Sequence, residues 1–363
     1  MPQVLNWNSS SAQPAAMIDT CVRAIDAGHV IGFPTESSYF LVADPKQKSA
    51  VAKLKQLLGP DADYPILEAY PPRDRPESIL PGASNLARRF ARRVWAGPIV
   101  ISTSIKRGEP NVARYLPNSS CSRQFMQSVG RTLLFGGITD HEGLAVVTAE
   151  DLVQLVGDKV PVVMDVGETH FGDLPSVIEV EGNRFRIPFE GVIAKDELVN
   201  QSHWLVIFVC TGNTCRSPLA EAIMKRMLAE KLGCDISDLR SRGFRISSMG
   251  ISALPGNTAT PEALIVAREL KSDLSDHRSR PLLTELLELA DHIIPMTAIH
   301  RDSIIALHPP CGPLIRLLCG TTDLSDPIGG DLTVYRNCAK TMEKHLSKLI
   351  SDMLAVGPAV YEP

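Results

Sequence analysis

The chain has 363 residues, enough for two domains that each bury a core of their own. Its 37 Lys and Arg against 41 Asp and Glu give a formal net charge of −4, which carries no overall signature of a polyanion-binding protein. It shows no run of about 18 apolar residues and no basic and then apolar leader, and its eight cysteines lack paired spacing. These features argue against a membrane span, a membrane partner and a secreted disulfide scaffold, and we expect a soluble, cytoplasmic protein.

The first part of the chain, from residue 12 to about residue 200, is predicted to form an α/β domain. Helical periodicity predicts helices at 17–27, 46–58, 88–93, 122–129 and 149–156. Short β-rich runs predict strands at 29–33, 39–43, 66–70, 98–104, 112–116, 132–135 and 160–166, followed by a hairpin of 176–180 and 184–187. The basic run RRFARR at 88–93 could face nucleic acid, but a charged helical face is more often solvated surface, and we favour that interpretation.

Four short segments of this first domain carry a family resemblance. They read GFPTES at 32–37, ADP at 43–45, WAGP at 95–98 and LPSV at 174–177. In this order they resemble the YrdC-like threonylcarbamoyl-adenylate synthases, which serve a tRNA modification. The resemblance implies a twisted open α/β sheet over residues 12–200.

The polar catalytic set of that family is poorly kept in this chain. Where the family has Lys-x-Arg, the chain has Lys55-Gln-Leu57, and where the family has Ser-x-Asn, it has Phe135-Gly-Gly137. Each lost charge-assisted contact to nucleotide costs about 1.5–3 kcal/mol when buried. We therefore predict a degenerate domain with a binding or regulatory role, and retained synthase activity is the alternative. RNA or nucleotide is a possible partner of this domain that no feature of the sequence supports. A remnant nucleotide site would be lined by Pro34, Thr35, Ser37 and Lys55.

The second part of the chain, predicted over residues 203–356, begins with a strand, a loop and a helix that carry chemistry. The run WLVIFV at 204–209 is apolar throughout, which predicts a strand buried on both faces of a parallel sheet. A helix is predicted to follow, with Ser217 as its N-cap and Pro218 in its first turn, until Gly233 ends it. The loop CTGNTCR at 210–216 can present backbone N–H groups to a phosphate at the helix N-terminus.

Cys210 lies at the end of this strand, where the loop N–H groups, the helix dipole and Arg216 would stabilise its thiolate. The spacing Cys-x5-Arg lets the guanidinium clamp two phosphoryl oxygens while the sulfur attacks phosphorus, so the sulfur should be accessible to solvent. Gly212 is expected to supply φ > 0, Asn213 to tie the loop with side-chain hydrogen bonds, and Ser217 to donate to the sulfur. The predicted phosphate-binding set is Thr211, Gly212, Asn213, Thr214, Cys215 and Ser217.

Two cysteines five residues apart could instead be core residues or half of a metal site. No CxxC and no His/Cys partner at zinc-like spacing follows them, and strand, loop and helix fall where a phosphate loop needs them. The segment VCTGNTCRSP at 209–218 resembles the signature of the low-molecular-weight phosphatases, and the likeness runs to about residue 354. That resemblance implies Cys210, Arg216 and Asp326 as catalytic residues, with Asp326 as the general acid although Asp-Pro by itself commonly marks a turn.

The remaining elements of the second part alternate as expected for a doubly wound parallel sheet. Strands are predicted at 244–248, 292–296 and 313–317, and helices at 261–271, 281–289, 298–308 and 333–354. Active sites in such sheets open at the carboxyl ends of the strands, where both Cys210 and the loop carrying Asp326 would lie.

The sequence thus predicts a cysteine-dependent phosphatase whose partner is a phosphorylated protein. Cys210 would attack phosphorus while Asp326 protonates the leaving atom, and Asp326 would then activate water to hydrolyse the cysteinyl-phosphate. This mechanism calls for no metal and no cofactor.

Two positions bear on the substrate of such a phosphatase. Tyrosine-specific members of the family carry a bulky apolar residue before the second cysteine and aromatic residues after Asp-Pro, whereas this chain has Thr214 and Ile328-Gly329-Gly330. Both differences are similar to bacterial protein-arginine phosphatases and favour phosphoarginine over phosphotyrosine, although Thr214 could be a neutral β-branched exchange. Three alternatives stay open: an arsenate reductase, a synthase-related tRNA-modification protein with an accessory phosphatase domain, and a non-enzymatic RNA- or nucleotide-binding protein.

Overall fold

The computed structural model describes residues 1–9, 13–60, 62–104 and 110–363. The predicted start of the first domain, residue 12, lies outside the described residues. The chain divides into two compact units: unit 1 comprises Met1–Gln201 and Val360–Pro363, and unit 2 comprises Ser202–Ala359. Among the described residues, no helix has the length and apolar character needed to cross a membrane.

Strands and helices alternate along both units, so the protein has the predicted α/β class. The strands are β1 Gln3–Asn6, β2 Ile31–Pro34, β3 Tyr39–Ala43, β4 Ile66–Ala69, β5 Ile99–Thr103, β6 Val112–Tyr115, β7 Leu133–Gly137, β8 Val162–Asp165, β9 Ser176–Glu181, β10 Arg184–Phe189, β11 Trp204–Cys210, β12 Phe244–Gly250, β13 His292–Pro295 and β14 Val360–Tyr361. The helices are α1 Pro14–Asp26, α2 Lys48–Leu58, α3 Asn85–Val94, α4 Ser120–Val129, α5 Ala149–Val156, α6 Lys195–Ser202, α7 Arg216–Leu232, α8 Pro261–Glu269, α9 Thr284–Leu289, α10 Ala298–Leu307 and α11 Leu332–Val356.

Unit 1 is built on a mixed sheet whose described strands run in the order β1-β8-β2-β3-β7-β4-β6-β5-β9-β10-β14. Both faces of its centre are covered. In β3, Phe40 and Val42 belong to a core shared with α1 and α4, whereas Tyr39 and Leu41 belong to a second core shared with α2 and α5. This double burial explains why the central strands are continuous apolar runs rather than alternating ones. The predicted hairpin is confirmed as the antiparallel pair β9 and β10.

The final strand of the chain completes the sheet of unit 1. In β14, Val360 N donates to Asn183 O at 2.9 Å, and the following Glu362 N donates to Phe185 O at 2.8 Å. An ion pair of 2.7 Å between Arg184 Nη1 and Glu362 Oε1 lies beside these bonds. Residues that follow unit 2 in sequence therefore cover the β10 edge of unit 1.

Unit 2 has a parallel sheet in the order β12-β11-β13. In β11, Val206, Phe208 and Cys210 contribute to a core formed with α7, α8 and α11, while Ile207 and Val209 contribute to a core on the opposite face with α9 and α10. Helices thus cover both faces of a parallel sheet, as the sequence predicts for a doubly wound fold. The carboxyl end of β11 carries Cys210 to the edge of the sheet, beside Gly250 at the end of β12.

Three predicted elements of unit 2 differ in the structure. The described residues 313–317 contain isolated bridges such as Ile293 to Ile315 rather than a strand, because a 3₁₀ turn at Pro309–Leu314 precedes them and Pro313 has no N–H to donate. Helix α9 begins three residues later than predicted, since residue 281 pairs with the end of β12. Helix α7 begins at Arg216, and its N-cap is Cys215 rather than Ser217.

Unit 1 also corrects the sequence prediction. The polar segment 192–203 contains α6, a helix not predicted from the sequence, and Leu198 is its buried apolar residue. The basic run of α3 was expected to be solvated, yet Arg89 is buried and Arg93 Nη1 donates to Gln201 O at 2.5 Å; only Arg88 of its four arginines is fully exposed. Buried guanidinium groups of this kind support the fold instead of forming a free basic face.

Candidate active site

The loop of residues 210–216 joins the end of β11 to the start of α7, where a strand end and a helix N-terminus meet. Cys210 Sγ is 3.0 Å from Ser217 Oγ and accepts a hydrogen bond from Asn213 N at 3.3 Å. Two hydrogen-bonding groups therefore lie at the sulfur. Cys210 is only 1% exposed, so the expected accessibility of the sulfur is wrong for this arrangement, in which a strand residue lies beneath its own loop.

Asn213 gives the loop its shape. It is buried and adopts a left-handed φ of 54°, and its Nδ2 donates to Ser217 Oγ at 3.0 Å and to Ser248 Oγ at 2.9 Å. Its Oδ1 accepts from Arg280 N at 2.9 Å. Asparagine tolerates this backbone region better than most residues, and three side-chain hydrogen bonds then fix it there.

The left-handed position therefore falls on Asn213 and not on Gly212, where the sequence suggested it. Gly212 is described and does not have a positive φ. A Cβ on it would meet only Thr214 Oγ1, at 3.6 Å. The glycine that the loop does require is Gly250, at the end of β12. A Cβ there would come within 2.5 Å of Thr211 O and 2.9 Å of Asn213 N, so any side chain would push the loop off the sheet.

Arg216 is buried at 4% exposure and faces the carboxylate predicted to be the general acid. Its Nη2 donates to Asp326 Oδ2 at 2.5 Å, while its Nε is buried with no hydrogen-bond partner among the described residues. The Asp326 side chain is 42% exposed, and its Oδ1 accepts from Ile328 N at 3.3 Å. The structure thus brings Asp326 to the loop that carries Cys210, although 116 positions separate the two in sequence.

The two cysteines of the loop differ in environment. Cys215 is buried in the core beneath α7, and this burial, followed by the nearby Cys210, raises the pKa of its thiol to about 11. A thiol with such a pKa is a poor nucleophile near neutral pH. Thr214 is half-buried and its carbonyl accepts from Thr260 N at 2.9 Å.

Two histidines contact the loop, and local sequence patterns did not reveal either role. His277 Nε2 lies 2.7 Å from Asn213 O, and burial lowers the pKa of its ring. His300 Nε2 lies 2.9 Å from Thr211 Oγ1, and its Nδ1 lies 2.7 Å from Thr297 Oγ1. Nothing near His300 in the sequence marks it.

The predicted remnant site of unit 1 is a closed polar cluster. Pro34 ends β2, and the buried Thr35 and Ser37 hydroxyls lie 3.5 Å apart, with Ser37 Oγ 3.3 Å from Tyr115 OH. Lys55 is exposed on α2 and shares no described hydrogen bond with Thr35 or Ser37. The structure therefore gathers three of these residues around β2 and leaves the lysine in solvent.

Aromatic side chains fill the space around the altered family positions in β7. The ring of Phe135 is buried 5.8 Å from that of Phe40 and 6.5 Å from that of Tyr115. A Cβ on Gly137 would come within 2.7 Å of the Tyr64 ring and 2.9 Å of Leu174. An asparagine at residue 137, which the family resemblance would require, does not fit without moving both side chains.

No group of three or more His, Cys, Asp or Glu side chains in the described part of the chain is arranged to hold a metal ion. All eight cysteines are free thiols.

Comparison with known proteins gives two domain families. Residues 205–356 match the model of the low molecular weight phosphotyrosine protein phosphatases, and residues 23–191 match the Sua5/YciO/YrdC model, described as telomere recombination. A protein-arginine-phosphatase of Bacillus subtilis is 35% identical over 153 residues, covering 41% of this chain and 95% of that protein. A protein-arginine-phosphatase of Geobacillus stearothermophilus is 33% identical over 149 residues, covering 40% of this chain and 92% of that protein. The tyrosine phosphatase PtpB of Staphylococcus haemolyticus is 31% identical over 147 residues, covering 40% and 96%.

The fold of unit 2, its cysteine loop and these matches agree on one class of enzyme. The chain belongs to the low molecular weight protein phosphatase family and carries a Sua5/YciO/YrdC domain ahead of its phosphatase domain.

Proposed function

We propose that this protein phosphatase hydrolyses phosphorylated protein side chains through a cysteinyl-phosphate and prefers phosphoarginine to phosphotyrosine. The proposed catalytic residues are Cys210, Arg216 and Asp326. The observation that carries the proposal is the state of Arg216, whose buried Nε has no described partner while its Nη2 is held by the Asp326 carboxylate. A buried guanidinium with an unused N–H favours an anion that offers two acceptor oxygens, as a phosphoryl group does.

In the first step, phosphoryl oxygens replace Asp326 on Arg216, and the acid loop moves outward far enough to admit the substrate to the buried sulfur. The Cys210 thiolate forms an S–P bond while the bond from phosphorus to the leaving nitrogen or oxygen breaks, and the Asp326 carboxylic acid gives that atom its proton. Arg216 and the loop N–H groups balance the charge on the phosphoryl oxygens.

In the second step, the Asp326 carboxylate takes a proton from a water molecule whose oxygen attacks phosphorus. The S–P bond breaks, inorganic phosphate forms, and Cys210 leaves as a thiolate. Ser217 Oγ, 3.0 Å from the sulfur, supports this step by donating to the departing thiolate. These residues supply all the proton transfers, and because the thiolate must stay reduced, we propose a cytoplasmic location.

The preference for phosphoarginine rests on the rim of the site. Thr214 offers a small polar side chain where a bulky apolar residue would wall a phenol ring, and Gly329 and Gly330 leave no aromatic wall behind Asp326. The guanidine of phosphoarginine is planar and polar, so a hydroxyl and open backbone suit it better than an apolar wall. Two relatives over 30% identical to unit 2 are protein-arginine-phosphatases, which supports the same preference.

The test is phosphate release from phosphoarginine peptides, phosphotyrosine peptides and para-nitrophenyl phosphate. Wild type should turn over phosphoarginine with the higher kcat/KM, and Cys210→Ser should lose about 10⁴-fold or more on every substrate, because no other group forms the intermediate. Cys234→Ser, a half-exposed cysteine past the end of α7, is the matched control and should keep wild-type rates.

Each other outcome removes part of the proposal. Full turnover by Cys210→Ser would exclude the thiolate mechanism. A higher kcat/KM for phosphotyrosine would overturn the substrate preference alone. Absence of turnover by wild type would favour an anion-binding protein without catalysis.

For unit 1 we propose a domain, spanning about residues 12–200 ahead of a phosphatase domain at about 203–356, that has lost synthase activity and keeps a binding or regulatory role. Two observations support this proposal. Tyr64 and Leu174 occupy the space that a side chain at Gly137 would need, and the Thr35 and Ser37 hydroxyls form a hydrogen bond with each other. Purified full-length protein should form no threonylcarbamoyl-adenylate from ATP, threonine and bicarbonate, measured by pyrophosphate release. Turnover above the no-threonine control would show that the domain is an active synthase. A role in RNA modification would then be the second function of the protein.

A further inference from the structure

The proposed mechanism does not use His300, although this side chain lies at the phosphate loop. It is in the first turn of α10 and only 3% exposed. Its Nε2 is 2.9 Å from Thr211 Oγ1, in the residue that follows the nucleophile, and its Nδ1 is 2.7 Å from Thr297 Oγ1, in the N-cap of α10. Both ring nitrogens are therefore engaged, one by the loop and one by the helix.

The same helix N-terminus holds the loop that carries the general acid. Ala298 N, in the first residue of α10, donates to Asp323 Oδ1 at 2.7 Å. Leu324 N donates to Met296 O at 2.8 Å, at the end of the strand that leads into α10. Asp323 and Leu324 come shortly before Asp326, so residues 296–300, which lead into α10, contact the acid loop by two hydrogen bonds and the phosphate loop by a third, through His300.

The charges that face His300 come from two elements. They are Arg216 of α7 and the carboxylates of Asp326 and Asp323 in the acid loop. Burial first, and then Arg216, lower the pKa of the His300 ring below its ordinary value of 6.5, while the two carboxylates oppose this shift. The ring is thus neutral at neutral pH, with one nitrogen donating and the other accepting, and a threonine hydroxyl can complement either.

We propose that His300 is a positioning residue that couples the nucleophile loop to the acid loop: it holds Thr211 against the N-terminus of α10, where Asp323 anchors the acid loop. This inference rests on the proposed phosphatase mechanism, in which Cys210 and Asp326 must reach the same phosphoryl group. Any buried histidine needs partners for its ring nitrogens, and here one partner belongs to the nucleophile loop and the other is the N-cap of α10.

The coupling predicts a particular kinetic signature. His300→Leu and Thr211→Val each break the same hydrogen bond, so each should lower kcat about tenfold with KM changed less than about twofold, since misplacing reacting groups by a fraction of an ångström costs rate rather than affinity. The double variant should be no slower than the slower single variant. His300→Gln keeps a polar group near the place of Nε2 and should recover most of the rate.

The pH dependence should change as well. Because the ring pKa is lowered in the folded protein, the unfolded chain binds the proton more readily, and stability falls as pH drops below 6.5. Wild-type kcat should therefore fall as the pH drops below 6.5. The His300→Gln variant should not show this decrease. His308→Gln, at the other end of α10, is the matched control and should keep the wild-type profile.

The experiment combines these kinetics on para-nitrophenyl phosphate with hydrogen exchange of the full-length protein. In His300→Leu, peptides covering residues 320–331 should exchange about tenfold faster, while peptides from α11 and from unit 1 should match wild type. Additive losses in kcat, or unchanged exchange at 320–331, would overturn the coupling. If wild type hydrolyses no substrate, the proposed function fails, and the exchange result still decides whether His300 holds the acid loop.

Discussion

Residues 210–216 of unit 2 and residues 35–38 of unit 1 form two loops that follow buried strands and contain hydroxyl and small residues. They differ in whether their hydrogen-bond donors already have an acceptor. In unit 2, the N–H groups of Thr211, Gly212 and Thr214 have no acceptor among the described residues, and Arg216 keeps an unpaired Nε. These donors surround a sulfur at the end of a strand. These donors create a positive electrostatic potential at the loop, which a bound anion can neutralise.

The corresponding turn of unit 1 supplies its own anion. Glu36 is only 8% exposed, and its Oε2 accepts from Asn118 N at 2.7 Å and Ser119 N at 3.0 Å, just before α4. Its Oε1 accepts from Tyr115 OH at 2.8 Å. Burial, and then the Glu36 carboxylate, raise the pKa of Tyr115 well above its ordinary value, so the phenol stays protonated and donates.

The contrast shows that a polar loop can keep its polar residues and still offer nothing to a ligand. In unit 1 the donors at a helix N-terminus are saturated by a side chain of the same unit, whereas in unit 2 the carboxylate at the loop, Asp326, is half-exposed and exchangeable. An exposed partner can be displaced at little cost, because solvent screens its ion pair, while a buried one cannot. The difference can be tested at the carboxylate of each loop.

The larger effect is expected at Asp326. Asp326→Asn removes the proton donor, which should lower kcat for phosphoarginine peptides about 10²–10³-fold, with a smaller loss for para-nitrophenyl phosphate because nitrophenolate leaves without protonation. The same change removes the carboxylate that competes for Arg216, so inhibition by inorganic phosphate should be as strong as in wild type or stronger. Steady-state kinetics with phosphate as a competitive inhibitor measure both quantities.

Asp331→Asn is the matched control for that loop. Asp331 caps α11 through Thr333 N and Val334 N, and asparagine caps a helix equally well, so only the charge is lost. Its rates should stay within about twofold of wild type. Equal losses in both variants would mean that loop charge, not proton transfer, explains the effect, and weaker phosphate inhibition in Asp326→Asn would contradict the competition for Arg216.

The strand, loop and helix around Cys210 could be predicted because their signals are local. An apolar run fixes β11, the Cys-x5-Arg spacing fixes the loop, and Gly233 fixes the end of α7 with a left-handed φ of 62°. The predicted start of the helix differs from the observed one by two residues, since Cys215 and not Ser217 caps the helix. Ser217 has the chemistry of a cap, but its hydroxyl is used by Asn213 and Cys210 instead.

What the sequence could not reveal depends on contacts between distant segments. Residue 250 must be a glycine only because Thr211 passes over it, and His300 matters only because α10 begins beside that loop. The β14 strand has two residues and no pattern of its own; the open edge of β10 selects it. No window of local periodicity contains these partners, and each is decided by tertiary packing.

The smaller effect is expected at Glu36, and it tests whether unit 1 is truly closed. Glu36→Gln keeps the size of the side chain but replaces an acceptor by an amide NH₂, which faces donors from Tyr115 and from the start of α4. Hydrogen bonds to a buried charged group contribute about 1.5–3 kcal/mol, so the variant should lower the stability of unit 1 by about 2 kcal/mol. Hydrogen exchange of peptides from β3 and α4 measures this loss, and the phosphatase rate of unit 2 should not change.

Glu168→Gln, an exposed glutamate in the same unit, provides the comparison and should leave exchange in β3 and α4 at wild-type levels. If Glu36→Gln proved as stable as this control, the carboxylate would not be saturating those donors, and the turn would resemble the open loop of unit 2 more than its geometry indicates. A variant that lost stability and at the same time gained tight ATP binding would lead to a different result: the Glu36 carboxylate would then be acting as an internal substitute for a phosphate, and the synthase site would be blocked rather than lost.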